Sequence, residues 1–119
     1  MSFCVLVAYA KDNVGKATVS VTLASAALDA GEKVSVILMS EGVRLAVQGY
    51  AESVDYGEPF KPMKELIAAV LQKGGELLAC TPCIKKRGIS DEYLLPGVRL
   101  IGGADVVRLL GQADRSIQL

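Results

Sequence analysis

The sequence of 119 residues contains no histidine, no tryptophan and only three cysteines. A structural zinc site usually needs four cysteine or histidine ligands, so neither a metal nor another cofactor is expected. Three cysteines are also too few, and odd in number, for a disulfide framework. Aromatic residues make up 5% of the chain and hydrophobic residues 51%. The core must therefore be built mainly from valine, leucine, isoleucine and alanine.

Neither sign of charge is in excess, because 13 Lys and Arg residues balance 13 Asp and Glu residues. Nucleic-acid binding is therefore not expected, since it needs a basic surface. The longest strongly apolar stretch, residues 34–39, is too short to span a membrane. The N-terminal segment has no basic flank, which predicts a first strand instead of a signal peptide. The default expectation is a cytoplasmic protein with reduced thiols.

Apolar segments of strand length alternate with helical patterns, without internal repeats, which predicts one α/β domain over residues 1–119. The predicted strands are 3–10, 33–39, 76–80, 98–103 and 115–119, and the predicted helices are 15–30, 42–48, 62–73, 82–95 and 104–112. Short connections between alternating elements indicate a parallel sheet with helices on both faces. Ligands of such sheets bind beyond the carboxyl ends of the strands, where two candidate sites lie.

The first candidate site is the pair of cysteines in the segment ACTPCIKKRG. Cys80 ends the third predicted strand, and Pro82 fits the first turn of a helix that would also carry Cys83. Helix amides near Cys80 would favour an anion and lower the pKa of its thiol. Three cations follow within two turns and are expected to act in the same direction: Lys85, Lys86 and Arg87. The pattern predicts a nucleophilic thiolate.

The residues alone leave other interpretations of this pair open. A Cys-x-x-Cys motif after a strand is typical of thiol-disulfide oxidoreductases, although such pairs usually follow an aromatic residue and Ala79 stands here. Free cysteines are often buried, so the two could simply pack inside a non-catalytic oligomeric binding protein. The mean hydropathy of +0.38 favours an oligomer, because it indicates apolar surface buried between subunits.

The cysteine motif and the segment DEYLLPGVRLIGGADVVRLL behind it resemble the DsrE/DsrF-like (YchN-like) family. The front half is similar too, with an apolar first strand and a small-residue helix that ends in ALDAGEKVSVILMSEGV. The resemblance covers essentially the whole chain. It implies a three-layer α/β/α sandwich around a mostly parallel five-stranded sheet, assembled as a homo-oligomer such as a trimer or hexamer.

The resemblance also implies a function, because characterised members of the family relay sulfur between proteins. It assigns to Cys80 the role of a persulfide acceptor in a sulfur carrier or sulfurtransferase, with donor and acceptor proteins as partners. Cys83 occurs in only part of the family, and could resolve a Cys80 persulfide as a disulfide or act as a second acceptor. The three cations would attract anionic donors.

The second candidate site follows the first strand. The pattern of a phosphate-binding loop is G-x-x-x-x-G-K-[ST], but Ala10 replaces its first glycine and Ala17 replaces the hydroxyl that would hold magnesium. Nucleotide hydrolysis is therefore not expected. A plain anion site at the start of the helix stays open, and its residues would be Asn13, Gly15 and Lys16. The alternative is a turn that simply opens a helix.

Overall fold

Five strands and four α-helices alternate along the chain in the computed structural model, which describes all 119 residues. The strands are β1 (Ser2–Val7), β2 (Lys33–Leu38), β3 (Glu76–Cys80), β4 (Val98–Ile101) and β5 (Arg115–Gln118). The helices are α1 (Val14–Asp29), α2 (Met63–Gln72), α3 (Thr81–Lys86) and α4 (Gly103–Gln112). The predicted α/β alternation is confirmed. No helix combines the length and the apolar character needed to cross a membrane.

All neighbouring strands of the single sheet are parallel, in the order β4-β3-β2-β1-β5. The central strands are nearly continuous apolar runs, as expected for parallel strands that are covered on both faces. Side chains alternate between the faces, so successive residues of one strand enter different parts of the core. The carboxyl ends of β1, β2 and β3 therefore lie side by side at one edge of the sheet.

The two faces of the sheet are covered by different helices, which gives the predicted three layers. On one face Val5 and Val36 belong to a cluster of 22 buried residues that includes residues of α1 and α2. On the other face Leu6 and Leu78 belong to a smaller cluster of 6 buried residues, to which α4 contributes Val106. Burial of each large apolar side chain contributes about 1.5–3 kcal/mol, so both layers stabilise the sheet.

Helix α2 shows how the sequence pattern produces this packing. Its buried residues recur at the spacing of one helix face and are Met63, Leu66, Ile67 and Val70. Pro62 is its N-cap and not part of its first turn. Gly74, with a φ of +86°, lies just beyond the helix in the left-handed conformation that glycine adopts readily.

Two predicted helices at the carboxyl edge are wrong in extent or type. The helix predicted over 82–95 ends at Lys86, and a short 3-10 helix at Asp91–Tyr93 follows. The cause is local, because Gly88, with a φ of +66°, ends α3: the N–H groups of Gly88 and Ile89 donate to the carbonyls of Lys85 and Ile84 at 3.1 and 3.2 Å. Farther along, the N–H of Leu95 donates to the carbonyl of Ala46 at 2.8 Å and holds that part of the segment extended. The helix predicted over 42–48 is a 3-10 helix at Ser40–Ala46.

Candidate thiol site at the carboxyl edge of the sheet

Cys80 and Cys83 lie where β3 passes into α3. Cys80 is the last residue of β3, beside Ile101 of β4, and is the N-cap of α3. Pro82 lies in the first turn of α3, where its missing N–H costs no hydrogen bond. Cys80 is 9% exposed, whereas Cys83 is half-buried. The pair thus lies between a strand and a helix as predicted, and Cys80 is the more deeply buried of the two.

Cys83 contacts the segment that follows β2. The backbone N–H of Ser40 donates to Cys83 Sγ, with 3.2 Å between nitrogen and sulfur. Ser40 has a φ of +52° and is the single non-glycine residue of the chain with a positive φ. Such a left-handed conformation costs roughly 1–2 kcal/mol in a residue with a Cβ atom. Sequence patterns did not identify Ser40. The one indication of its role was its position just after β2, the strand that pairs with β3.

Arg87 connects α3 to the same segment. Its Nε donates to Glu41 Oε1 at 2.9 Å, and its Nη1 donates to the Cys83 carbonyl at 3.2 Å. Its Nη2 lies 3.5 Å from Ser40 Oγ, and the second carboxylate oxygen of Glu41 accepts from Arg44 Nε at 2.7 Å. The carboxylate therefore holds two guanidinium groups. Glu41 and Arg44 were not predicted, because only the fold brings residues so distant in sequence together.

The electrostatics of Cys80 differ from the prediction. Burial raises the pKa of its thiol, and the contact with the Cys83 side chain raises it further. The Cys83 backbone amide and the Arg87 charge lower the pKa, but these effects are smaller. The predicted lowering of the pKa is therefore wrong. Lys85 and Lys86 point into solvent and are absent from the causes of the shift, which leaves Arg87 as the one relevant cation.

Glu41 is ionised throughout the neutral range. The hydrogen bonds from Arg44 and Arg87 hold the pKa of its carboxyl below the ordinary value. A carboxyl with a lowered pKa contributes stability above its ordinary pKa, and this contribution is lost only as the pH falls through the lowered value. The link between Glu41 and Arg87 is thus intact at the pH at which thiols react.

Several amides of the loop after β1, the second candidate site, already have hydrogen-bond partners within the protein. The N–H of Lys16 donates to the Asn13 side chain at 3.1 Å, and the N–H of Ala10 donates to the Asp12 side chain at 2.8 Å. The N–H of Lys11 donates to the Tyr50 hydroxyl at 3.3 Å. An anion site here stays a prediction, but three amides that could serve an anion already have partners.

The side chains of this loop are also engaged with aromatic rings. A Cβ atom on Gly15 would lie 3.1 Å from the Tyr56 ring, so glycine allows the close packing of this tyrosine. Lys16 Nζ lies 5.3 Å from the centre of the Tyr9 ring, within the range of a cation–π interaction. The loop and the thiol pair are separated by β2, a distance of about 10 Å for two strand spacings. The structure does not join them into one site.

The third cysteine is isolated from the pair. Cys4 lies within β1 on the α4 side of the sheet, and its thiol donates to the Leu109 carbonyl at 3.6 Å. It is 3% exposed, and burial raises the pKa of its thiol. The chain brings together no group of three His, Cys, Asp or Glu side chains that could hold a metal ion. Thiol chemistry at this edge therefore depends on Cys80 and Cys83.

The parallel five-stranded sheet between helical layers places the chain among the three-layer α/β proteins. Within this class the chain belongs to the DsrE/DsrF-like family, whose sequence profile matches residues 1–119. Membership of this family suggests a role in sulfur relay.

Individual relatives agree with the family assignment. An uncharacterised protein of Methanopyrus kandleri is 31% identical over 102 residues, which cover 86% of this chain and 80% of that one. An uncharacterised protein of Methanocaldococcus jannaschii is 27% identical over 119 residues and 98% of each chain. The crystal structure of the ychN protein from E. coli has a TM-score of 0.78 at 19% identity, with 99% of this chain and 97% of that one covered. That likeness shows the fold alone.

Proposed function

We propose that this chain is a sulfur-relay protein that carries sulfane sulfur as a persulfide on Cys80 and passes it to a partner protein. The family suggests the relay, and one observation supports the residue. Cys80 ends β3, which lies between β2 and β4, at the carboxyl edge where parallel α/β sheets bind their ligands, directly beside a second thiol. The chain has no histidine, and transfer between sulfur atoms needs no histidine base.

The reaction is an exchange at sulfur. The Cys80 thiolate attacks the terminal sulfur of a donor persulfide, the donor's S–S bond breaks, and the donor leaves as its thiolate. The amide of Cys83 and the charge of Arg87 both favour the thiolate of Cys80, although burial outweighs them at rest. Burial therefore keeps the Cys80 thiol protonated in the resting protein, and its proton has to leave before the sulfur attacks the donor.

The proposal includes donor and acceptor proteins as partners, a cytoplasmic location and a homo-oligomer such as a trimer or hexamer. The oligomer is supported by apolar residues on the outer side of α4. Val107 is 71% exposed and Leu110, three residues later on the same helix face, is 36% exposed. Apolar side chains placed together in this way favour burial against another chain.

A thiol-disulfide oxidoreductase is the second candidate function. It is favoured by the contact between the side chains of Cys80 and Cys83, which is close enough to raise the pKa of Cys80. A dithiol of this kind would cycle between two thiols and a disulfide, without holding sulfane sulfur. The two functions therefore leave different products on the same residues.

The mass of the reduced protein after incubation with a polysulfide tests the proposed function. We expect a gain of whole sulfur atoms that reductant removes, mapped by peptide analysis to Cys80. Cys80→Ser should abolish this gain, whereas Cys4→Ser, which changes the isolated buried thiol, should retain it. Loss of two hydrogens without any gain of sulfur would favour the oxidoreductase, and no change in mass would overturn both functions.

A further inference from the structure

The amide that contacts the Cys83 sulfur belongs to Ser40, a residue in the left-handed conformation. Strained residues of this kind persist only where the surrounding structure holds them, and they cluster at functional sites. The N–H of Ser40 makes Cys83 Sγ the acceptor of a hydrogen bond at 3.2 Å. A neutral thiol is a weak acceptor, whereas charged acceptors bind donors about twice as strongly. The hydrogen bond from the Ser40 N–H is therefore strongest when Cys83 is a thiolate.

The contact between Ser40 and Cys83 is fixed from both sides by one arginine. Arg87 binds the carbonyl of Cys83 on α3 and approaches the hydroxyl of Ser40, while Glu41 orients its guanidinium group. The side chains of Arg87 and Glu41 are 17% and 33% exposed, a combination lower than in any other ion pair of the chain. Solvent and salt screen such a partly buried pair less than a surface pair.

We propose that Cys83 is a release thiol that attacks the Cys80 persulfide and frees hydrosulfide, with Ser40, Arg87 and Glu41 as the residues that position it. This inference rests on the proposed function of Cys80. It adds a second outcome for the carried sulfur, which is released as sulfide when no acceptor protein takes it.

The release step balances as an intramolecular exchange. The Cys83 thiolate bonds to Cys80 Sγ, the S–S bond of the persulfide breaks, and its electron pair leaves with the outer sulfur as hydrosulfide. The two cysteine sulfurs are oxidised to a disulfide, and the sulfane sulfur is reduced by two electrons. The side chains of Cys80 and Cys83 are in contact across the start of α3, so the pair meets the first requirement for this bond. A dithiol reductant would return the protein to its starting state.

A single-turnover experiment tests the release step. Reduced full-length protein is loaded with polysulfide, desalted quickly, and followed by a fluorescent sulfide probe and by mass. We expect sulfide to appear in step with a Cys80–Cys83 disulfide. Cys83→Ser should load sulfur on Cys80 and release none. Loading without sulfide or disulfide in the unaltered protein would overturn this inference and leave the proposed function standing, whereas absence of loading would overturn the proposed function.

The role of Glu41 is tested with a matched pair of substitutions. Glu41→Gln should slow release about tenfold, the scale of one hydrogen bond to a charged group, and leave loading unchanged. Glu76→Gln removes a carboxylate paired with Arg99 at the other end of β3 and should release sulfide at the normal rate. Glu41→Asp, which keeps the charge, should recover part of the rate. Equal release rates for Glu41→Gln and Glu76→Gln would overturn the positioning role.

Alkylation separates positioning from simple loosening of the fold. In a Cys80→Ser background, the rate at which the neutral reagent iodoacetamide modifies Cys83 reports its thiolate. Glu41→Gln should lower this rate several-fold, because the Ser40 amide is no longer held against the sulfur. A merely loosened site would expose Cys83 and raise the rate, and that result would overturn the role proposed for Glu41.

Discussion

The ends of β1 and β3 lie at the same edge of one sheet, yet the chain uses the polar groups there in opposite ways. After β1, the amides of Ala10 and Lys16 bond to side chains within their own loop. After β3, two thiols adjoin a helix start, and the N–H of Ser40, which follows β2, donates to the sulfur of Cys83. The loop after β1 bonds the amides of Ala10 and Lys16 locally, with only that of Lys11 reaching Tyr50, whereas the Cys83 thiol after β3 accepts from a residue 43 positions away.

This difference explains why a loop motif is a weaker guide to function than a strand end. In the loop after β1 the glycine and the lysine of the motif serve packing, since Gly15 contacts Tyr56 and Lys16 lies against Tyr9. At the end of β3 the Cys83 thiol accepts from the Ser40 N–H, a contact that a serine hydroxyl could also make. Side chains that the fold does not need for its own hydrogen bonds are the better candidates for chemistry.

The largest effect is expected from Gly42→Ala, which breaks the contact between the end of β1 and the 3-10 helix Ser40–Ala46 that reaches the thiols. A Cβ atom at this position would lie 1.9 Å from the Val7 carbonyl oxygen at the end of β1. The 3-10 helix that carries Ser40 and Glu41 would have to move, at a cost of about 3 kcal/mol or more in the free energy of unfolding. Urea denaturation measures this loss.

A second glycine provides the control for this substitution. Gly111 lies in α4 with no atom within 4 Å of an added Cβ, and Gly111→Ala should stabilise the protein by about 0.5–1 kcal/mol through helix propensity. A Gly42→Ala protein as stable as the unaltered one would contradict the packing described for the two strand ends. If it folds but is destabilised, its sulfide release should also be slow, because Ser40 has shifted.

The sequence predicted the position of the thiols but not their surroundings. Cys80 could be placed because an apolar strand, a proline and a helical pattern are local signals. The contacts of Cys83 with Ser40 and of Arg87 with Glu41 span 43 and 46 residues, and no pattern of a single segment encodes them. The helix predicted over 82–95 failed for a different reason, because Gly88, with a φ of +66°, ends α3 locally. The distant pairing of Leu95 with Ala46 then keeps the rest of that segment extended.

The prediction that the pKa of Cys80 is lowered failed for a related reason. Cations near Cys80 in the sequence were assumed to be near it in space, but Lys85 and Lys86 lie on the exposed side of α3. Burial of Cys80 depends on the layers above and below β3, and it was not readable from the motif. The family resemblance, by contrast, predicted the sheet and the layers correctly, because it draws on the whole chain.

A moderate effect on stability, without an effect on sulfur chemistry, is expected from Asn13→Ala. The side chain of Asn13 caps α1 by accepting from the N–H of Lys16, and loss of such a cap costs about 1 kcal/mol. Persulfide loading on Cys80 should be unchanged, since β2 separates the loop from the thiols. Thermal denaturation and the mass assay check the two halves of this prediction, and slower loading would show that the two strand ends act as one site.

The smallest effect is expected from neutralising Lys85 and Lys86 together by Lys→Gln substitution. Both side chains are exposed, and neither contributes to the pKa shift of Cys80. They can still attract an anionic donor through solvent, so polysulfide should load about twofold more slowly at low ionic strength, with the difference lost in 1 M salt. Alkylation by neutral iodoacetamide should be unchanged, whereas Arg87→Gln should alter it, because Arg87 contacts the backbone of Cys83. A slower reaction of the double variant with the neutral reagent would mean that distant charges also control the reactivity of the thiols. The thiol site could then no longer be explained by its direct contacts with Ser40 and Arg87 alone.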